Sequence, residues 1–260
     1  MPLWSFLGEI DVVADGSNMK DNEEAKIILI HGGGTRLGLA VTEELNRRGA
    51  TVVLHDAAHA DAAAAIARDF ASDQVLDLSE MPMDEGDVGL NLAAIVERCG
   101  RLDALVNLFV PDPETDASEL QAYARALYER GLAAGEIIAR HNGDGMIVNQ
   151  FYLASSFADT ELGDSVTAAR GAITGMTRSL CIRHGRLGVR VCGLLVGLLD
   201  VPEIKFLASE RVLAATTPLQ RWIEPVDVAK SVAFLLLDSG YITGQMLIMD
   251  GGLTAGINGT

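Results

Sequence analysis

Lysine is nearly absent from the middle of this chain. Only Lys20, Lys26, Lys205 and Lys230 occur in 260 residues, so none stands between Lys26 and Lys205. Cysteine is scarce as well: Cys99, Cys181 and Cys192 sit in apolar or helical stretches at no metal-ligand or redox-pair spacing. That excludes a disulfide framework and fits buried thiols in a reducing cytosol. Tyrosine is limited to Tyr123, Tyr128, Tyr152 and Tyr241, none with a lysine four residues on. Basic charge is outweighed, with 20 Lys and Arg against 36 Asp and Glu. A net charge of −16 repels phosphate backbones and acidic lipid, which excludes nucleic acid and membrane surfaces as partners. No apolar run reaches the length of a membrane span, and Met1–Leu7 is apolar without a basic leader. A cytoplasmic location is expected.

What is present is apolar and periodic. Hydrophobic residues make up 49% of the chain, enough for one large core, so a single domain over 26–260 is expected behind an acidic extension over 1–25. Short apolar runs at Ile27–His31, Thr51–His55, Gln74–Leu76, Ala104–Leu108, Met146–Gln150, Val189–Leu195 and Met246–Met249 read as strands. Helical patterns near 36–48, 58–70, 87–99, 116–140, 163–185 and 225–237 lie between them. Continuously apolar strands alternating with amphipathic helices demand a sheet covered on both faces. The expected fold is α/β, a doubly wound parallel seven-stranded sheet of the Rossmann type.

After the first strand comes His31-Gly32-Gly33-Gly34-Thr35-Arg36-Leu37-Gly38, which opens a helix. Such glycines let the backbone turn tightly and bring a pyrophosphate to the helix N-terminus, where unpaired N–H groups favour an anion. The second strand ends in His55-Asp56. A carboxylate there can accept both hydroxyls of an adenosine ribose and repels a 2′-phosphate, which favours NAD over NADP. The five histidines show no ligand spacing, and neither a nucleophile elbow nor a His-Glu-x-x-His or Cys-x-x-Cys motif occurs. No metal is called for. His31 and His55 end neighbouring strands, where capping or packing roles are expected rather than proton transfer.

Further segments follow in order: Asp77-Leu78, Gly100-Arg101-Leu102-Asp103-Ala104-Leu105-Val106-Asn107, Gly145-Met146-Ile147-Val148-Asn149, Gly175-Met176-Thr177-Arg178, Gly188-Val189-Arg190-Val191, Glu224-Pro225-Val226-Asp227 and Asp250-Gly251-Gly252. With the glycine segment they resemble the landmarks of the short-chain dehydrogenase/reductase family over residues 26 to 253. The resemblance implies NAD as cofactor, held by Gly32, Gly34, Arg36, Leu37, Gly38, Asp56, Asp77, Leu78 and Asn107. It also exposes departures. His31 stands where the family has Thr, Arg36 replaces the middle glycine as in pteridine reductases, and Leu108-Phe109-Val110 replaces Asn-Ala-Gly, crowding the floor beneath a nicotinamide ribose.

In that family a Tyr hydroxyl moves the proton, a Lys four residues later lowers its pKa, a Ser orients the carbonyl and an Asn anchors a water relay. A phenol of ordinary pKa near 10 needs an adjacent cation to titrate at working pH. Here Val166 stands at the Tyr position, Arg170 at the Lys position and Tyr152 at the Ser position, and no Asn lies in 112–140. Valine has no proton to give, and a planar guanidinium does not reproduce an ammonium. Val196-Gly197 and Val201 also depart from the family's Pro-Gly and Thr. Enoyl reductases of the superfamily have a Tyr-Leu pair like Tyr152-Leu153 but keep a second Tyr and a Lys. No catalytic position is intact, and the chain is expected to be inactive alone.

A complete scaffold with a degenerate centre resembles the inactive member of heteromeric short-chain dehydrogenases, such as the alcohol dehydrogenase of the benzylsuccinate pathway. The partner expected is an intact subunit of the same family in a hetero-oligomer. The contact surfaces are the small-residue helices near 116–140 and 163–185 and the last helix and strand. Two alternatives stay open: a divergent NAD-dependent oxidoreductase using Tyr152 and Arg170, and a nucleotide-sensing module without a catalytic partner.

Overall fold

The computed structural model describes residues 25–70, 74–79, 88–109, 117–141, 144–153, 163–205 and 217–255. All but the last residue of the expected extension over 1–25, most of the loop between Asp200 and Pro218 and the last five residues lie outside them.

Seven parallel strands form one sheet: β1 (Ile27–His31), β2 (Thr51–His55), β3 (Val75–Asp77), β4 (Ala104–Asn107), β5 (Gly145–Tyr152), β6 (Val189–Val196) and β7 (Met246–Met249). Their spatial order is β3-β2-β1-β4-β5-β6-β7, so the direction of winding reverses between β1 and β4. Ligands of open α/β sheets bind at the carboxyl ends of the strands at such a reversal. The helices are α1 (Arg36–Arg47), α2 (Ala60–Arg68), α3 (Val88–Cys99), α4 (Ala117–His141), α5 (Gly163–His184), a short α6 (Pro202–Lys205) and α7 (Pro225–Ala233), which runs into a π-helical turn at Phe234–Asp238. Strand and helix boundaries match the sequence pattern to within a few residues. Among the strands the largest difference is β5, which continues two residues past Gln150 to include Phe151 and Tyr152.

Two apolar layers sandwich the sheet. Ile28, Ile30, Val52 and Leu54 face Leu37, Val41 and Leu45 of α1, in a cluster that also holds Val228 and Val232 of α7. The alternate positions Leu29, Val53, Leu105 and Ile147 face Ala134 and Ile138 of α4 and Leu180 of α5. Period-two alternation in the strands thus feeds helices on both sides, as parallel sheets require.

Polar fasteners set the register. Asp103 is buried, receives Arg101 in a two-pronged pair and accepts the amide of Ile27 at 2.8 Å, tying the start of β1 to β4. Arg48, just past α1, donates twice to Asp238 at the turn after α7. Asp250 accepts from Gly252 and Thr254 and closes the turn after β7.

Candidate functional site

The glycine segment bridges β1 and α1. Gly32 has φ +83, and a Cβ there would collide with the Leu108 carbonyl; only glycine meets both demands. The amides of Gly32 and Gly33 donate to the His55 carbonyl, so the end of β2 carries the start of the turn. Thr35 caps α1 by accepting from the Gly38 amide at 3.0 Å. Arg36, first in the helix, is exposed, whereas Leu37 and Gly38 are buried.

Asp56 is buried, and its carboxylate is already in use. One oxygen accepts from the Gly34 amide at 3.0 Å, the other from the His59 amide at 3.1 Å, and the His59 ring stands 3.3 Å from both. A Cβ on Gly34 would lie 2.5 Å from the His59 carbonyl, so the chain after β2 presses directly on the glycine turn. Asp77 binds the amide and hydroxyl of Ser79, and the Ser79 hydroxyl accepts from the Asp56 amide, joining the ends of β2 and β3. Leu78 is buried beside them. The structure therefore brings Gly32, Gly34, Leu37, Gly38, Asp56, Asp77 and Leu78 to one end of the sheet. This end suits the adenosine part of a dinucleotide: close glycine backbone, a helix N-terminus and a carboxylate whose ring partner, His59, is half exposed and able to leave.

Asn107 is placed differently. Its side chain turns under the sheet, donating to Asn149 Oδ1 at 2.9 Å and accepting from Arg130 Nε at 3.1 Å; Asn149 in turn donates to Thr177. Registers align His55, His31, Asn107 and Asn149 across four neighbouring strands, so this polar rung lies within one buried layer. His31 and His55 stack with centroids 5.2 Å apart and Nδ1 atoms 3.0 Å apart. One Nδ1–H donates and the other accepts, which requires at least one neutral ring. Burial, the Arg130 charge and His55 push the His31 pKa well below the usual histidine value.

Beyond Asn107 the site is filled with rings. Phe109 lies 4.5 Å from Tyr123, 5.0 Å from Phe151 and 6.5 Å from Tyr152, centroid to centroid. Tyr152 is 0% exposed and Val166, on α5, is 1% exposed in the same core cluster. Burial raises the Tyr123 pKa far above the ordinary phenol value. Arg170 lies one turn past Val166, with its carbonyl bonded to Thr174. The nicotinamide side that the family resemblance assigns here is crowded by these side chains, and the residues do not fit that half of the cofactor. Sequence reading missed Ser79, His59, Tyr123 and Arg130. Arg130 had a visible signal, a charge between the apolar positions Leu127 and Ala134 of an amphipathic helix, whereas the ring cluster is assembled by tertiary contact alone.

The comparisons agree with this architecture. Residues 35–254 match the family model described as enoyl-(acyl carrier protein) reductase. The chain belongs to the short-chain dehydrogenase/reductase superfamily, an oxidoreductase family of Rossmann-type α/β proteins. It is 32% identical over 252 residues to subunit BbsC of the (2S)-[(R)-hydroxy(phenyl)methyl]succinyl-CoA dehydrogenase of Thauera aromatica, covering 91% of this chain and 98% of that one. It is 29% identical over 243 residues to cis-4-hydroxycyclohexanecarboxylate dehydrogenase of Sinomonas cyclohexanicum, covering 88% and 97% respectively. The crystal structure of levodione reductase superimposes with a TM-score of 0.74 at 25% identity, over 88% of this chain and 98% of that one.

Proposed function

We propose that this chain is a non-catalytic subunit of a hetero-oligomeric, NAD-dependent short-chain dehydrogenase, completing the assembly around an active subunit of the same family. The observation that carries this reading is the buried Val166 at the position of the proton carrier, packed in one apolar cluster with a sealed Tyr152. A phenol in that cluster has no ammonium to lower its pKa, because no lysine lies between Lys26 and Lys205. The BbsC relative is itself described as a subunit, which supports an assembly role here.

Two surfaces suit the partner. On α5, Ala168, Gly171, Ala172, Gly175 and Ile182 face outward, Ile182 being 79% exposed. Small side chains there let a second helix approach closely, and an exposed isoleucine among them adds an apolar anchor. The other is the sheet edge: β7 is entirely apolar, with Leu247 and Ile248 exposed. On α4 the small residues are divided: Ala124, Gly131, Ala134 and Gly135 pack inward, whereas Ala122 is exposed and Ala126 and Ala133 are half-buried.

Nucleotide binding belongs to the same proposal. Gly32, Gly34, Arg36, Leu37, Gly38, Asp56, Asp77 and Leu78 would hold the adenosine part of NAD, and the active partner subunit would carry out hydride transfer with a nucleotide of its own. The competing reading, a divergent oxidoreductase using Tyr152 and Arg170, draws on the relatives, which carry dehydrogenase names. Native mass spectrometry of the protein isolated from its source cells separates them. The expected species contains a second chain with Tyr-x-x-x-Lys; a homo-oligomer that reduces carbonyls sinks the subunit reading.

A further inference from the structure

Among the described residues, Arg130 is a buried cation with no carboxylate in hydrogen-bond contact. Arg130, on α4, is 3% exposed and lies close enough to His31, at the end of β1, for its charge to be felt there. Its Nε donates to Asn107, its Cζ lies 6.0 Å from the centre of the Tyr123 ring, and its Nη2 is buried with no hydrogen-bond partner. Every hydrogen of a guanidinium is a donor, so only an acceptor can complete it. Glu129, the neighbouring acid on α4, acts on Arg130 only through its charge and forms its ion pair with Arg125. Among the described residues, the other groups that face Arg130 carry no negative charge. His31 on β1, beside His55 on β2, is held toward its neutral form, Asn107 on β4 is an amide, and Tyr123 is a protonated phenol whose Oη is also buried without a partner. Buried charges are ordinarily paired, because a cation taken out of water recovers its lost hydration only from a nearby anion or acceptors.

We propose that Arg130 is the receptor of a small internal monoanion, a halide or a carboxylate the size of formate, bound at Nη2 with the Tyr123 hydroxyl as the second available donor. One positive charge calls for one negative charge, and the deep burial of Arg130 limits the ligand to a few atoms. The proposal does not depend on whether the chain turns over a substrate.

The test uses the full chain, melted in rising concentrations of sodium chloride, sodium bromide and sodium formate, beside its Arg130→Met variant. Binding to the folded state alone gives a saturable rise in Tm, about 5 °C at a hundredfold excess over Kd for a chain of this size. The expected result is such a rise with at least one of the three anions in the native sequence and only a shallow, unsaturating slope in the variant. A halide-only or a formate-only response identifies which monoanion is the ligand. Parallel curves for the two proteins, or no saturable rise with any anion, overturn the proposal. Crystals of the unaltered protein grown in bromide decide the matter even if the variant does not fold: an anomalous peak within hydrogen-bond reach of Nη2 supports the site, and an ordered water there refutes it.

Discussion

At the scale of single residues, the polar rung is where chemistry and stability meet. His31 is a buried base whose folded pKa is depressed, and His184, buried on α5, is shifted the same way by burial and Arg183. The unfolded chain takes up these protons near the ordinary histidine value of about 6.5, whereas the folded chain resists them. Stability is therefore fully present above about 6.5 and is lost as the pH falls below it, with a limiting slope of about 1.4 kcal/mol per pH unit for each proton. Urea midpoints at pH 7.5 and 5.5 should show the loss, and His31→Thr should make it smaller; an unchanged difference in the variant counts against the assignment. The His59 ring against Asp56 is a second local matter. His59→Ala frees one face of the carboxylate, and NADH fluorescence titration should tighten by roughly two- to fivefold, the value of one modest hydrogen bond. Weaker binding would mean that His59 assists the ribose rather than competing with it. No binding at all at millimolar NADH, in either protein, would remove the nucleotide from the proposal.

At the scale of elements, most of the fold was legible because its signals are local. Apolar runs such as Ile27–His31 and the glycine segment after it announce a strand, a turn and a helix without help from the rest of the chain. Strand β5 ran longer than expected because Phe151 and Tyr152 pair with Leu195 and Val196 of β6, a partner 44 residues away that no local pattern reveals. The candidate site was only half visible for the same reason. Asp56 follows directly from its spacing to the glycine segment, but the use of its oxygens by Gly34 and His59 is a tertiary fact. Val166 and Arg170 could be read as substitutions from the sequence, yet the ring cluster that fills the space beside them could not. This cluster makes simple restoration unpromising. Introducing Val166→Tyr with Arg170→Lys forces a ring into a packed core, so the double variant should lose about 1–3 kcal/mol of stability and gain no carbonyl reduction. Chemical denaturation with an NADH-coupled assay checks both. Turnover by that variant would show that the centre lacks only its two titratable groups.

At the scale of the whole molecule, a sheet complete in all seven strands retains two apolar surfaces that a lone chain leaves in water. Ile182→Asp on the outer face of α5 should weaken assembly while leaving the monomer's fold intact, because that side chain makes little internal contact. Analytical ultracentrifugation with circular dichroism reads both properties; an assembly indifferent to the change moves the interface elsewhere, with the β7 edge next to be tested. Among the described residues no helix is long and apolar enough to cross a membrane, and no group of three or more His, Cys, Asp or Glu could hold a metal ion. The most direct measurement is the NADH-dependent carbonyl reduction rate of this polypeptide purified free of other chains, with and without Tyr152→Phe. A rate indistinguishable from buffer in both proteins is expected. Steady turnover at ordinary enzymatic speed by the unaltered chain, abolished by the loss of that one hydroxyl, would contradict a non-catalytic subunit outright.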